Sequence, residues 1–164
     1  MDGWFLPFQI SACWHDYVES DKINRNMSNV RQACLTSRHN ALSSLGNPAV
    51  VVGGVGSNET LYIEGHGKSG FDMLYAESPK HPQFNGPGNE YIDAFRLARL
   101  LKKYRFRGGN IRLNVCNSAE ANGFGKHLKD AMDAYGIAYK SIRGRIGKSQ
   151  TQERYCKTYH DIRT

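Results

Sequence analysis

The chain has 164 residues, 22 Lys and Arg against 15 Asp and Glu for a net charge of +7, and is 40% hydrophobic, 11% aromatic and 23% charged. That length holds one domain with a real core, the balance is that of a soluble globular protein, and the aromatic content argues against wholesale disorder. The four cysteines (Cys13, Cys34, Cys116, Cys156) are too sparse and scattered for a disulfide scaffold and read as reduced thiols made in a cytosol, with Cys13 and Cys34 as core or half-buried thiols.

The first residues lack a basic leader followed by a long apolar run, and no apolar stretch is long enough to cross a bilayer. The expectation is a cytoplasmic protein with no membrane association, export without a cleaved signal being the alternative. Residues 5–10 suit an edge strand, where Pro7 is tolerated. Ser28 can cap a helix on which Val30, Cys34, Ala41, Leu42 and Leu45 recur at roughly helical spacing, stopped by Gly46-Asn47-Pro48. Residues 49–53 form a β-branched apolar run and predict a buried strand. The glycine-rich residues 53–58 fail the dinucleotide fingerprint because Glu59 holds the third-glycine place, so they read as a turn.

Residues 60–64 predict a second strand, ending at Gly65-His66-Gly67. Gly67-Lys68-Ser69 and Gly147-Lys148-Ser149 both lack the earlier glycine of a phosphate-binding loop, Tyr62 and Ile142 standing in its place. Residues 68–90, rich in Pro and Gly, predict a long surface loop that could flank a substrate groove. An amphipathic helix follows over residues 91–104, buried through Ala94, Leu97, Ala98, Leu101 and Tyr104 and positively charged at its end. Residues 111–115 predict a buried strand. After Cys116, Asn117 and Glu120 have capping-box spacing for a helix running through Phe124, Leu128, Ala131, Met132 and Tyr135 to Gly136. A last strand covers residues 137–142, and residues 147–164 are polar and basic.

Helices alternating with strands imply a mainly parallel sheet with helices on its faces, and ligands in such sheets sit beyond the carboxyl ends of the strands. His66 and Cys116 both stand at such ends. A thiol beside an imidazole is a nucleophile and its base. The imidazolium and the N-terminus of the expected helix after Cys116 would both favour the thiolate. Backbone N–H groups of Gly67 and Cys116 could serve as an oxyanion hole, Gly67 letting the backbone approach a scissile carbonyl without a Cβ in the way.

These two runs, Tyr62-Ile63-Glu64-Gly65-His66-Gly67 and Ile111-Arg112-Leu113-Asn114-Val115-Cys116-Asn117-Ser118, resemble those of the caspase-like cysteine peptidases, particularly the bacterial toxin-associated and RTX self-processing members. The resemblance covers about residues 48–146 and implies a three-layer α/β/α sandwich with a mainly parallel sheet. It also implies a Cys-His dyad of Cys116 and His66 with no third residue, a protein or peptide substrate, and an origin as a bacterial effector or toxin module. Glu64 receives no role. The caspase Gln-Ala-Cys-Arg-Gly signature is missing, and too little chain follows Cys116 for the usual further strands. The RTX members are switched on by an inositol phosphate at a basic surface, which the cluster Arg143, Arg145, Lys148 and Arg154 would supply; a plain solvated face is the other reading.

His15, His39, His81, His127 and His160 make no i, i+4 pair, so neither metal nor cofactor is expected. The domain expected is one unit over residues 1–164, with a core of about 28–146 and a basic segment over 147–164. Two rivals stay open: a non-catalytic binding module on the same scaffold, and a nucleic-acid binder driven by the basic segment, which lacks any base-reading motif.

Overall fold

The computed structural model describes residues 1–9, 30–35, 46–78, 80–81, 83–147 and 159–163. Its six-stranded sheet runs β2 (Arg31–Cys34), β1 (Gly3–Leu6), β3 (Thr60–Glu64), β6 (Asn110–Asn114), β7 (Ser141–Gly144) and β8 (His160–Asp161). All neighbours are parallel except β7 and β8. The remaining strands, β4 (Met73–Ala76) and β5 (Glu90–Asp93), make a separate antiparallel pair. Three helices complete the described residues: α1 (Pro48–Gly53), α2 (Ala94–Lys103) and α3 (Phe124–Ala134). The mainly parallel sheet with helices is the architecture expected.

One sheet face is apolar. Gly3, Phe5, Leu61, Ile63, Ile111, Leu113 and Ile142 alternate onto it in register, and all but Gly3 belong to one buried cluster. Helix α1 lies on this face, since a Cβ at Gly3 would stand 3.0 Å from Val51 Cγ1 and Val55 Cγ2. Tyr104, at the end of α2, meets Phe5 edge-on at 6.1 Å. The opposite face of β3, β6 and β7 carries Tyr62, Glu64, Arg112, Asn114 and Arg143; Trp4 of β1 stacks on Tyr62 at 5.0 Å.

Several elements depart from expectation for identifiable reasons. Residues 3–6 form an interior strand, not an edge: β1 lies between β2 and β3 with all four residues buried, and Pro7 falls just beyond its end. Arg31–Cys34 is a strand where a helix was expected, because Gln32, Ala33 and Cys34 are buried in parallel register with β1. The rest of that expected helix lies outside the described residues. The valine run is helical instead of extended. Pro48 occupies the first turn and Asn47 caps it, its side chain accepting from Ala49 N at 2.8 Å. Tertiary packing of Val51 and Val52 thus overrides β-propensity, while Val50 stays exposed.

The expected long loop contains β4, and β5 takes the first residues of the expected helix. Asp93 starts α2 by accepting from Arg96 N at 2.7 Å. Strands β6 and β7 start one and four residues away from where the apolar runs placed them. Cys34 is fully buried and disulfide-bonded, which corrects its reading as a reduced thiol. Cys13 and Cys156 lie outside the described residues. No helix among the described residues is long and apolar enough to cross a membrane.

Candidate active site

Strands β3 and β6 pair directly, Thr60 with Asn110 through Glu64 with Asn114. His66 and Cys116 each stand two residues beyond that last pair, so they leave neighbouring parallel strands at the same height. Their contiguity is set by Gly67: a Cβ there would lie 2.4 Å from the Cys116 carbonyl oxygen and 2.5 Å from Val115 Cγ1. The two strand exits therefore touch through backbone, and only glycine permits it. This is a different reason for Gly67 from the one expected, since its bare face is turned to the cysteine segment. Both His66 and Cys116 are half-buried, and Cys116 is not in a disulfide.

A second strand pair fixes His66. Its N–H donates to Tyr75 O at 2.7 Å, and Tyr75 N–H donates back to His66 O at 3.0 Å, an isolated antiparallel bridge to β4. The imidazole lies 5.4 Å from the Tyr75 ring. Tyr75 in turn packs with Phe71, Phe84 and Tyr91, and Lys68 Nζ stands 4.0 Å over the Phe84 ring. The pair β4–β5 thus forms an aromatic wall beside the histidine, inside the segment expected to flank a groove.

The surroundings of Cys116 differ from expectation. No helix starts at Asn117. Residues 115–123 make successive turns, and α3 begins at Phe124 with Gly123 as its cap. Asn117 is left-handed at φ 61°, which excludes it from the extended conformation of an N-cap. Its N–H donates to Gly147 O at 2.7 Å, and its carbonyl accepts from Glu120 N–H at 3.2 Å. No helix N-terminus therefore stands at the sulfur.

Below the two exits lies a row of polar side chains, Glu64 and Asn114, for which the sequence suggested no role, and Arg145, which it placed on a basic surface. Asn114 Nδ2 donates to Glu64 Oε2 at 2.7 Å, and Arg145 Nε donates to Asn114 Oδ1 at 3.1 Å. Glu64, Asn114 and Arg145 are 5%, 1% and 2% exposed. Arg145 also lies over the Tyr159 ring at 4.1 Å. It is therefore interior and no part of a basic surface. Arg143 is exposed and paired with Asp161 at 2.9 Å, and Lys148 and Arg154 lie outside the described residues. A polar residue closing each of two otherwise apolar runs was the visible signal for this row.

No group of three or more His, Cys, Asp or Glu among the described residues could hold a metal ion. A surface cleft of about 710 Å³ lies between α1 and the end of α2, lined by residues including Val50, Tyr104, Arg105 and Arg107, and it contains neither His66 nor Cys116. No family model, curated protein or solved structure matches this chain.

Proposed function

We propose that this protein is a cysteine peptidase with Cys116 as nucleophile and His66 as general base and acid. The observation that carries the reading is the equal-height exit of both residues from directly paired parallel strands, with Gly67 packed on the Cys116 carbonyl. In the reaction His66 takes the thiol proton and the sulfur attacks the scissile carbonyl carbon. The negative charge that develops on the carbonyl oxygen is met by N–H groups of Gly67 and Cys116. Collapse of that intermediate breaks the C–N bond, and His66 returns the proton to the leaving amine. Water, deprotonated by His66, then hydrolyses the thioester and restores the thiol. The resemblance to caspase-like peptidases supports the same assignment on the same two residues, and the mainly parallel sheet fits the sandwich it implies.

Replacing Cys116 with Ala tests it. The expected outcome is loss of self-cleavage and of hydrolysis of a mixed peptide library, with an unchanged circular dichroism spectrum. An unchanged rate removes the assignment and leaves the binding-module reading. The Cys34 disulfide favours the exported alternative over a cytosolic one, since such bonds persist in oxidising compartments.

A further inference from the structure

We infer that Asn114 is a positioning residue for the Cys116–His66 pair, acting through a buried donor–acceptor tie across three strand ends; the inference rests on the dyad reading above. The tie is built from register. Glu64 and Asn114 are the last ladder pair of β3 and β6, and the pairing of Arg112 with Arg143 carried two residues further puts Arg145 beside Asn114. A carboxylate only accepts and a guanidinium only donates, so a residue between them must do the reverse toward each. Asn114 does so, with its amide nitrogen on Glu64 and its amide oxygen toward Arg145. An apolar residue here would leave two buried charges without this link, and a carboxylate would face Glu64 with no proton to share.

The tie ends two residues before each reacting side chain. It also reaches the turn that carries Cys116, from the other side. Arg145 N–H donates to Ser118 Oγ at 3.0 Å, and Arg145 O accepts from Ala119 N–H at 2.9 Å. One residue thus holds strand β6 through its guanidinium and the cysteine turn through its backbone. A change at Asn114 alters the relative height of the β3 and β6 exits, which is the coordinate that sets sulfur against imidazole.

The test is the rate of Cys116 alkylation by iodoacetamide, followed on the Cys116 peptide by mass spectrometry. It compares wild type, H66A, N114D, N114D/H66A and the swap variant E64Q/N114D, each checked by circular dichroism. H66A slows the wild-type reaction if the dyad exists. N114D is expected to slow it about tenfold, in line with the sensitivity of reacting groups to sub-ångström displacement. The swap reverses the polarity of the tie, Gln donating and Asp accepting, and returns the rate to within about threefold of wild type. In the H66A background N114D adds no further loss, because its effect runs through the imidazole. Asn114→Ala, which removes both bonds without adding charge, replaces N114D if that variant does not fold. No effect at Asn114, no rescue by the swap, or an equal loss with and without His66 overturns the inference. An H66A rate equal to wild type instead overturns the dyad reading.

Discussion

The carbonyl oxygen of Cys116 lies where a side chain on Gly67 would have to begin, 2.4 Å from the ideal Cβ position. No real contact of that kind survives, and the atom met is backbone and not a flexible side chain. Gly67→Ala must therefore push the β3 exit away from the β6 exit. We expect a loss of stability of about 1–3 kcal/mol, the usual range for overpacking a fitted site. We also expect a fall in Cys116 alkylation and peptidase rate larger than that stability loss alone would produce. Urea unfolding midpoints and alkylation rates measured on the same variant check it. Retained rates with lowered stability would show that the contact supports the fold without setting the site.

Asn117 separates two local structures that the sequence alone leaves indistinguishable. A helix N-cap ranks Asn and Ser together with Gly close behind. A left-handed position ranks Gly first, Asn next and Ser well below. At φ 61° the second order applies. Asn117→Gly should be neutral or slightly stabilising, and Asn117→Ser should cost about 1 kcal/mol. Thermal unfolding of the two variants decides it. A Ser variant as stable as wild type would restore the capping geometry.

What the sequence made legible was the sheet interior. Residues 60–64 and the run into Cys116 are short apolar runs, so their strand character, and the placement of His66 and Cys116 just beyond the strand ends, could be read directly. What it hid follows from packing. The valines after Pro48 have β-propensity, but a six-residue helix with Asn47 as cap buries Val52 in the core and Val51 against Gly3. Asn117 and Glu120 have capping-box spacing, yet Asn117 is left-handed and the chain keeps turning until Gly123 caps α3. The role of Asn114 depends on Arg145, 31 residues away, and no local pattern announces a pairing of that range. Glu64 follows the alternation expected of β3 but is buried, and its reason appears only when β6 is laid beside it.

The buried disulfide at Cys34 gives a prediction opposite to that of four reduced thiols. Reduction under native conditions should lower the urea midpoint by an amount equivalent to about 2–4 kcal/mol, the typical contribution of a native bridge. Cys116, which is not in a disulfide, should alkylate before any reductant is added, and the Cys34 peptide only afterwards. Equal labelling of both peptides without reductant would remove the bridge.

Alkaline stability should report on Tyr139. Its hydroxyl donates to Asp133 Oδ1 at 2.7 Å. Burial first, then that hydrogen bond and the charges of Asp133 and Asp130, push its pKa up to about 12. The unfolded tyrosine titrates at about 10. Below that value both states keep the proton and the contribution of the bond is fully present. Between about pH 10 and 12 the unfolded chain releases the proton while the folded one retains it, so stability falls as pH rises, and the contribution is gone once the folded phenol ionises. Tyr139→Phe lacks both the bond and the titration. Wild type should therefore be the more stable of the two near pH 9, and its advantage in urea midpoint should shrink by about pH 11. The other tyrosines titrate in both proteins and cancel in the comparison. A constant difference across that range would mean that the phenol ionises alike in the folded and unfolded chains, and that Asp133 does not hold its proton.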